Sequence, residues 1–237
     1  MSKHYDTVIF DMDGTLLNTL EDLTDSVNAA MRTFGRPERT LEEIRQFVGN
    51  GVLKLMERSV PEGREAADFE EIYEWFKDYY SKHSEEKTRP YEGIPELVSN
   101  LKNKGYKMAI VSNKFHDAVC HLSRLYFGDL LPVSIGENEA AGIRKKPAPD
   151  TVLSALRELG SESDKAVYVG DSEVDYATAV NSGLDCILVS WGFRDRKLLE
   201  SLEPQAIVDT PDEILTFCEE KMDGNRCYRR AAENIIY

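Results

Sequence analysis

Two acids stand one residue apart in FDMDGTLLNT, Phe10 to Thr19, directly after an apolar run and just before a glycine. On an extended chain, Asp11 and Asp13 turn their side chains to the same side. Other apolar runs end in a similar way. MAIV is followed by Ser112, Asn113 and Lys114, and VYVG by Asp171 and Ser172, with Asp175 a little further on. Lys145 and Lys146 stand before Pro147, ahead of a helical stretch. Gathered at one place, these residue types allow a narrow chemistry. Three or four carboxylates would destabilise one another unless a hard divalent cation sat among them. Mg²⁺ suits that position, because it takes oxygen ligands and reaches substrate through phosphate oxygens. One carboxylate kept ionised beside the metal can attack phosphorus and form an acyl phosphate. Another, off the metal, can protonate the leaving oxygen and later take a proton from water. Gly14, Ser112 and Asn113 can aim N–H and hydroxyl donors at the equatorial phosphoryl oxygens.

Those residues need elements to hold them. Tyr5–Phe10 is short, β-branched and aromatic, and reads as a buried strand. Leu20, Leu23, Val27, Met31 and Phe34 then recur at helical spacing up to Gly35. Thr40 and Glu43 form a capping-box pattern, and Phe69, Ile72, Trp75, Phe76 and Tyr79 mark a further helical stripe. Between Leu16 and Lys87 no segment has the period of a strand. After that block strands and helices alternate. Strands are expected over 107–112, 132–135, 165–170, 185–190 and 206–209. Helices are expected over 95–104, 115–127, 150–159 and 174–181, near Lys197 and from Pro211. Alternation of this kind gives right-handed crossovers and a mainly parallel sheet. The expected fold is a doubly wound α/β core, residues 1–15 and 88–237, interrupted by an all-helical insertion over 16–87. In such sheets ligands bind beyond the carboxyl ends of the strands, which is where the polar clusters fall. The tail, 225–237, fits no element.

Composition bounds the partners. The chain has 237 residues and a net charge of −14, a field that repels nucleic acid and anionic membranes. An anionic substrate therefore needs local cations, which a metal ion and a lysine would supply. No apolar run approaches a membrane span, and MSKHYD lacks the pattern of a signal peptide. Four scattered cysteines with no CxxC pair fit reduced thiols. Cytoplasmic residence is expected, and the oligomeric state is left open.

In this order, the segments resemble the four motifs of the haloacid dehalogenase-like hydrolase superfamily. DMDGT is similar to its nucleophile motif, VSN to its Ser/Thr motif, Lys146 in KKPAP to its lysine motif, and GDSEVD to its acidic motif. The resemblance implies a Rossmann-like core with a helical cap, and a phosphatase acting on a small phosphorylated metabolite. It implies Asp11 as nucleophile and Asp13 as general acid and base. Mg²⁺ would be held by the Asp11 carboxylate, the Asp13 main-chain carbonyl and Asp171, with Asp175 in support. Ser112 would contact the phosphoryl group, and Lys146 would pair with Asp11 and the phosphoryl oxygens. VGNG (Val48–Gly51), SNK (Ser112–Lys114) and PYEGIPELVSNLKNKGY resemble the phosphoglycolate phosphatase branch, which makes Asn50 and Gly51 candidate substrate contacts. Asn18 stands where an acid is common, and Ser112 where that branch often has Thr. Asp13 argues against a dehalogenase.

Each residue also has a plainer reading. Asp175 could simply cap its helix, Lys146 could be a solvated charge, and Asn50 and Gly51 could be a helix break. Two other functions share parts of the pattern. A β-phosphoglucomutase-type phosphomutase or a pyrophosphatase would use the same core motifs under a different cap. A receiver-like phosphoacceptor module would also gather Asp, Ser/Thr and Lys, but on a later strand and without a second acid two residues on.

Overall fold

The computed structural model describes residues 5–138 and 142–220; the tail 225–237 lies outside them. Strand β1 (Thr7–Phe10) is buried along its whole length, as its β-branched and aromatic run favours. It leads to a two-residue strand, β2 (Leu17–Asn18), and then to helices α1 (Leu20–Thr33), α2 (Leu41–Phe47), α3 (Val52–Ser59) and α4 (Phe69–His83). Leu23, Val27 and Met31 of α1 meet Ile44, Met56, Ile72 and Phe76 in an apolar cluster of their own. The capping box at the start of α2 forms as expected. Glu43 N donates to Thr40 Oγ1 at 3.2 Å, and Thr40 N donates to Glu43 Oε2 at 2.7 Å.

The chain continues through β3 (Arg89–Pro90), α5 (Ile94–Asn103), β4 (Lys107–Phe115), α6 (His116–Phe127), β5 (Val133–Glu137) and α7 (Asp150–Leu159). It ends with β6 (Ala166–Gly170), α8 (Glu173–Ser182), β7 (Asp185–Val189), α9 (Arg196–Ser201), β8 (Ala206–Val208) and α10 (Pro211–Glu220). Six strands form one sheet in the order β5-β4-β1-β6-β7-β8, and every neighbouring pair is parallel. Alternate residues of β1 feed two cores: Val8 and Phe10 join the cluster on one face, Ile9 the cluster on the other. This is the doubly wound α/β fold. The chain builds outward from β1 through β4 and β5, then returns to the far side of β1 for β6. Strand order therefore reverses between β1 and β6, and the crevice for a ligand opens at their carboxyl ends. Among the described residues no helix is long and apolar enough to cross a membrane.

Two departures from the sequence reading bear on the site. β2 pairs antiparallel with β3 where the helical block leaves and rejoins the sheet, and two residues are too few to show a period. Asp22, buried in α1, braces this neck by accepting from the backbone N–H groups of Lys87 and Thr88 at 2.8–3.0 Å. The second departure is β4, which runs three residues further than expected. Its register against β5 shifts between Val111 and Phe115, and an irregularity of this kind re-aims side chains. Ser112, Asn113 and Lys114 sit in that interval.

Candidate active site

Asp11 and Asp171 are the first residues past β1 and β6, on the two sides of the crevice. Asp11 N donates to Val169 O at 2.9 Å, so the sheet itself fixes the backbone at this point. From the loop ahead of α7, Lys146 brings its Nζ to 2.7 Å from Asp11 Oδ1 and 2.8 Å from Asp175 Oδ1. Tyr168 of β6 closes the group: its hydroxyl donates to Asp175 Oδ1 at 3.1 Å and lies 3.1 Å from Lys146 Nζ. Asp11, Lys146, Asp171 and Asp175 are all buried. Asp11 and Asp175, far apart in the sequence, thus meet on one buried lysine and not on a solvated surface.

For Asp175 the structure shows the plainer reading, the helix cap, together with a contact to Lys146. It caps α8 in a capping box with Ser172. Its Oδ2 accepts from Asp171 N, Ser172 N and Ser172 Oγ at 3.2, 3.1 and 2.6 Å. With both oxygens engaged, Asp175 orients Lys146 from behind the cleft. Asp171 is held from the other side by Phe193 N, which donates to its Oδ2 at 2.6 Å.

Three of the expected ligand contacts take a different form. Gly14 N donates to Leu17 O at 2.9 Å, so this amide closes a turn and does not face a phosphoryl group. Glycine is needed there for another reason: its φ is +83°, and a Cβ would stand 2.3 Å from Asp171 Oδ2. Asn113 lines the cleft, but its side-chain amide grips backbone. Nδ2 donates to Lys146 O at 3.0 Å and Gly49 O at 3.3 Å, while Oδ1 accepts from Lys146 N at 2.8 Å. Asn50 faces away: its Oδ1 accepts from Arg58 at 2.7 Å, and it lines a neighbouring cavity. Gly51 and Ser112 do line the main cleft.

On the opposite side stand residues that carried no role in the sequence reading. Lys114 is buried, and its Nζ lies 2.8 Å from Asp13 Oδ1. Thr19 Oγ1 donates to the same oxygen at 2.7 Å. Lys114 Nζ also sits 4.9 Å from the ring centre of Tyr80, which α4 supplies. Leu23, Val52 and Leu55 of the helical block complete this wall. Arg194 ties the two parts of the molecule together. It pairs with Glu173 at 2.8 Å and donates to Arg45 O and Val48 O at 3.0 and 2.8 Å. Arg45 answers by donating to Phe193 O at 2.8 Å.

With this geometry in place, comparison with known proteins decides the family. The profile of the haloacid dehalogenase-like hydrolases matches residues 8–189. The chain belongs to that family. The hydrolase is 30% identical over 213 residues to a phosphoglycolate phosphatase of Aquifex aeolicus, spanning 88% of this chain and 94% of the relative. It is equally similar, 30% over 213 residues with the same coverage, to the pyrophosphatase PpaX of Bacillus cereus. Among solved structures, one from Lactobacillus delbrueckii subsp. bulgaricus, provisionally assigned as a phosphoglycolate phosphatase, superposes with a TM-score of 0.85. That protein is 38% identical, with 91% of this chain and 98% of that one covered. The phosphoglycolate phosphatase-like branch read from the sequence is therefore the right one.

The electrostatics of this hydrolase centre on crowding. Burial, then the charge of Asp175, holds the Asp11 carboxyl well above the usual range, against the opposing pull of Lys146. Asp171 is pushed up to about 7 by burial and by Asp175. Lys146 stays charged: burial works against its ammonium, but Asp11 and Asp175 outweigh it and raise its pKa well above normal. Asp11, Asp171 and Asp175 each offer an oxygen within 4.8 Å of one another. An all-oxygen, carboxylate-rich donor set is what a hard divalent cation takes, so the residues fit such an ion. The signal for Phe193 and Arg194 was present in the sequence, since they follow the next apolar run, DCILVS. Lys114 lay in a polar cluster already singled out, yet its role depends on the irregularity in β4.

Proposed function

We infer that this hydrolase cleaves a small phosphate monoester, with 2-phosphoglycolate the first candidate, through an aspartyl-phosphate formed on Asp11. The observation that carries this reading is Lys146 Nζ placed 2.7 Å from Asp11 and 2.8 Å from Asp175, at the crevice between β1 and β6. A nucleophilic carboxylate needs a fixed cation that also neutralises the incoming phosphoryl oxygens. Asp11 would attack phosphorus and displace the leaving oxygen, which takes its proton from Asp13. Asp13 then removes a proton from the water that attacks the acyl phosphate, releasing inorganic phosphate and free Asp11. Ser112 would donate its hydroxyl to an equatorial phosphoryl oxygen.

The Asp11 and Asp171 carboxylates and the Asp13 main-chain carbonyl would hold Mg²⁺. When bound, it supplies the positive charge that lets Asp11 ionise beside Asp171 and offsets charge on the phosphoryl group. The helical segment 16–87 would act as a cap over the cleft, excluding water and shaping selectivity. Support for phosphoglycolate comes from the Aquifex aeolicus relative. The Bacillus cereus relative favours a second reading, cleavage of pyrophosphate by the same residues. Phosphate release from a panel of phosphorylated metabolites and pyrophosphate, with and without Mg²⁺, tests both. A chain that releases no phosphate from any of them contradicts the proposal.

A further inference from the structure

The cleft has a second end that the steps above do not use. Lys114 reaches it with an ammonium group that carries three N–H donors. Among the described residues its hydrogen-bond acceptor of good geometry is Asp13 Oδ1, at 2.8 Å. Asp13 does not depend on that contact alone, because Thr19 Oγ1 donates to the same oxygen at 2.7 Å. Beside Lys114 lies the phenol of Tyr80, 1% exposed, whose hydroxyl is close enough to interact with the Lys114 ammonium but makes no hydrogen bond of good geometry among the described residues. Both line the cleft. A buried hydroxyl whose one neighbour is a misaligned ammonium still has a proton to donate, and a ligand that accepts it lowers the free energy.

The surroundings say what kind of ligand. Leu23, Val52 and Leu55 wall this end with carbon, so the Lys114 charge is little screened by water and attracts a second anion beside Asp13. The position says where on the ligand the anion sits. Asp13 would touch the leaving oxygen, and Lys114 touches Asp13, which puts Lys114 on the leaving-group side.

We propose that Lys114 and Tyr80 form a subsite for an anionic oxygen on the leaving group, close to the scissile bond, and so select phosphoesters or anhydrides whose leaving group is itself a small anion. The subsite rests on the phosphatase reading above. A carboxylate and a second phosphoryl share the required chemistry. An uncharged tail of the same size would leave the ammonium and the phenol unmatched.

The test compares kcat/KM for 2-phosphoglycolate, pyrophosphate and ethyl phosphate in the wild type, Lys114→Met and Tyr80→Phe, with Mg²⁺ present. Because Lys114 also contacts Asp13, its loss lowers all three rates, and the ratio of anionic to neutral leaving group isolates the subsite. The wild type prefers an anionic leaving group, and Lys114→Met reduces that preference at least about 30-fold, the size expected when a buried charge loses its partner. Tyr80→Phe reduces it about tenfold, the size of one hydrogen bond to a charged group. The substrate with the larger loss identifies the anion as carboxylate or phosphoryl. Tyr80→Phe decides the matter if the lysine variant fails to fold. An unchanged ratio in the variants shows that Lys114 serves Asp13 alone and overturns the subsite while leaving the phosphatase intact. So does a wild type that hydrolyses ethyl phosphate equally well. If the wild type cleaves none of the three, the phosphatase reading fails first. Calorimetric binding of 2-phosphoglycolate and pyrophosphate then decides the subsite: weaker binding to Lys114→Met supports it, and equal or absent binding refutes it.

Discussion

On the sheet side of the cleft, Asp11, Lys146, Tyr168 and Asp175 share a closed set of ion pairs and hydrogen bonds, all buried. On the helical side, Leu23, Val52, Leu55 and Tyr80 present carbon and one hydroxyl that makes no hydrogen bond of good geometry among the described residues. The two walls differ in how they are held. The sheet fixes its residues at strand ends, with backbone pairing on both sides of β1. The helices offer a surface completed only when something else lies against it. On the proposed mechanism, bond-making falls to the sheet wall and choice of substrate to the helical one.

The largest effect should come from the sheet side. Asp11→Asn removes the proposed nucleophile and is expected to lower phosphate release at least about 10⁴-fold, with an unchanged circular dichroism spectrum. Wild-type turnover in that variant would put the chemistry elsewhere. Lys146→Met should lower kcat about 10³-fold. It should also destabilise the fold by about 3–5 kcal/mol, since Asp11 and Asp175 would lose their buried counter-charge; urea unfolding measures this. Gly14→Ala sharpens the contrast without touching a reacting group. Its Cβ displaces the Asp171 carboxylate, so affinity for Mg²⁺ should fall about 10- to 100-fold, the range seen when a supporting group is lost, as read by metal titration of activity.

Removing the metal tests the crowding itself. The Asp171 carboxyl is pushed up to about 7 in the folded chain, against about 3.9 when unfolded. Between these values the folded state binds more protons, so stability falls as pH rises. Metal-free protein should therefore melt at a higher temperature near pH ~5.5 than near pH ~7.5, and Mg²⁺ should narrow that gap. A melting temperature that rises over this interval without metal contradicts the assignment. The smallest effect belongs to Asn50→Ala. Its side chain binds Arg58 outside the main cleft, so kcat/KM should change less than about twofold.

The sheet side was also the legible side. Apolar runs ending in Asp11 and Asp171 announce strand ends, and strand ends meet at the crevice of a parallel sheet whatever the details of packing. The capping box at Thr40 and Glu43 was legible because it is local. What sequence could not supply were partners far apart in the chain. Asn113 gripping Lys146, Arg194 holding Arg45 and Val48, and Tyr80 beside Lys114 each join segments that only packing brings together. Gly14 shows a subtler limit. Its place in the motif was plain, but the cause is the approach of Asp171 and not a donated N–H.

Trapping the intermediate tests the central claim most directly. Enzyme in excess over 2-phosphoglycolate or pyrophosphate is quenched within a turnover and reduced with borohydride, which converts an acyl phosphate of aspartate to homoserine. Peptide mass spectrometry should then find homoserine at position 11 alone, only with substrate present, and never in Asp11→Asn. Turnover that leaves Asp11 unmodified at every quench time, or homoserine at position 13 in its place, would contradict the account.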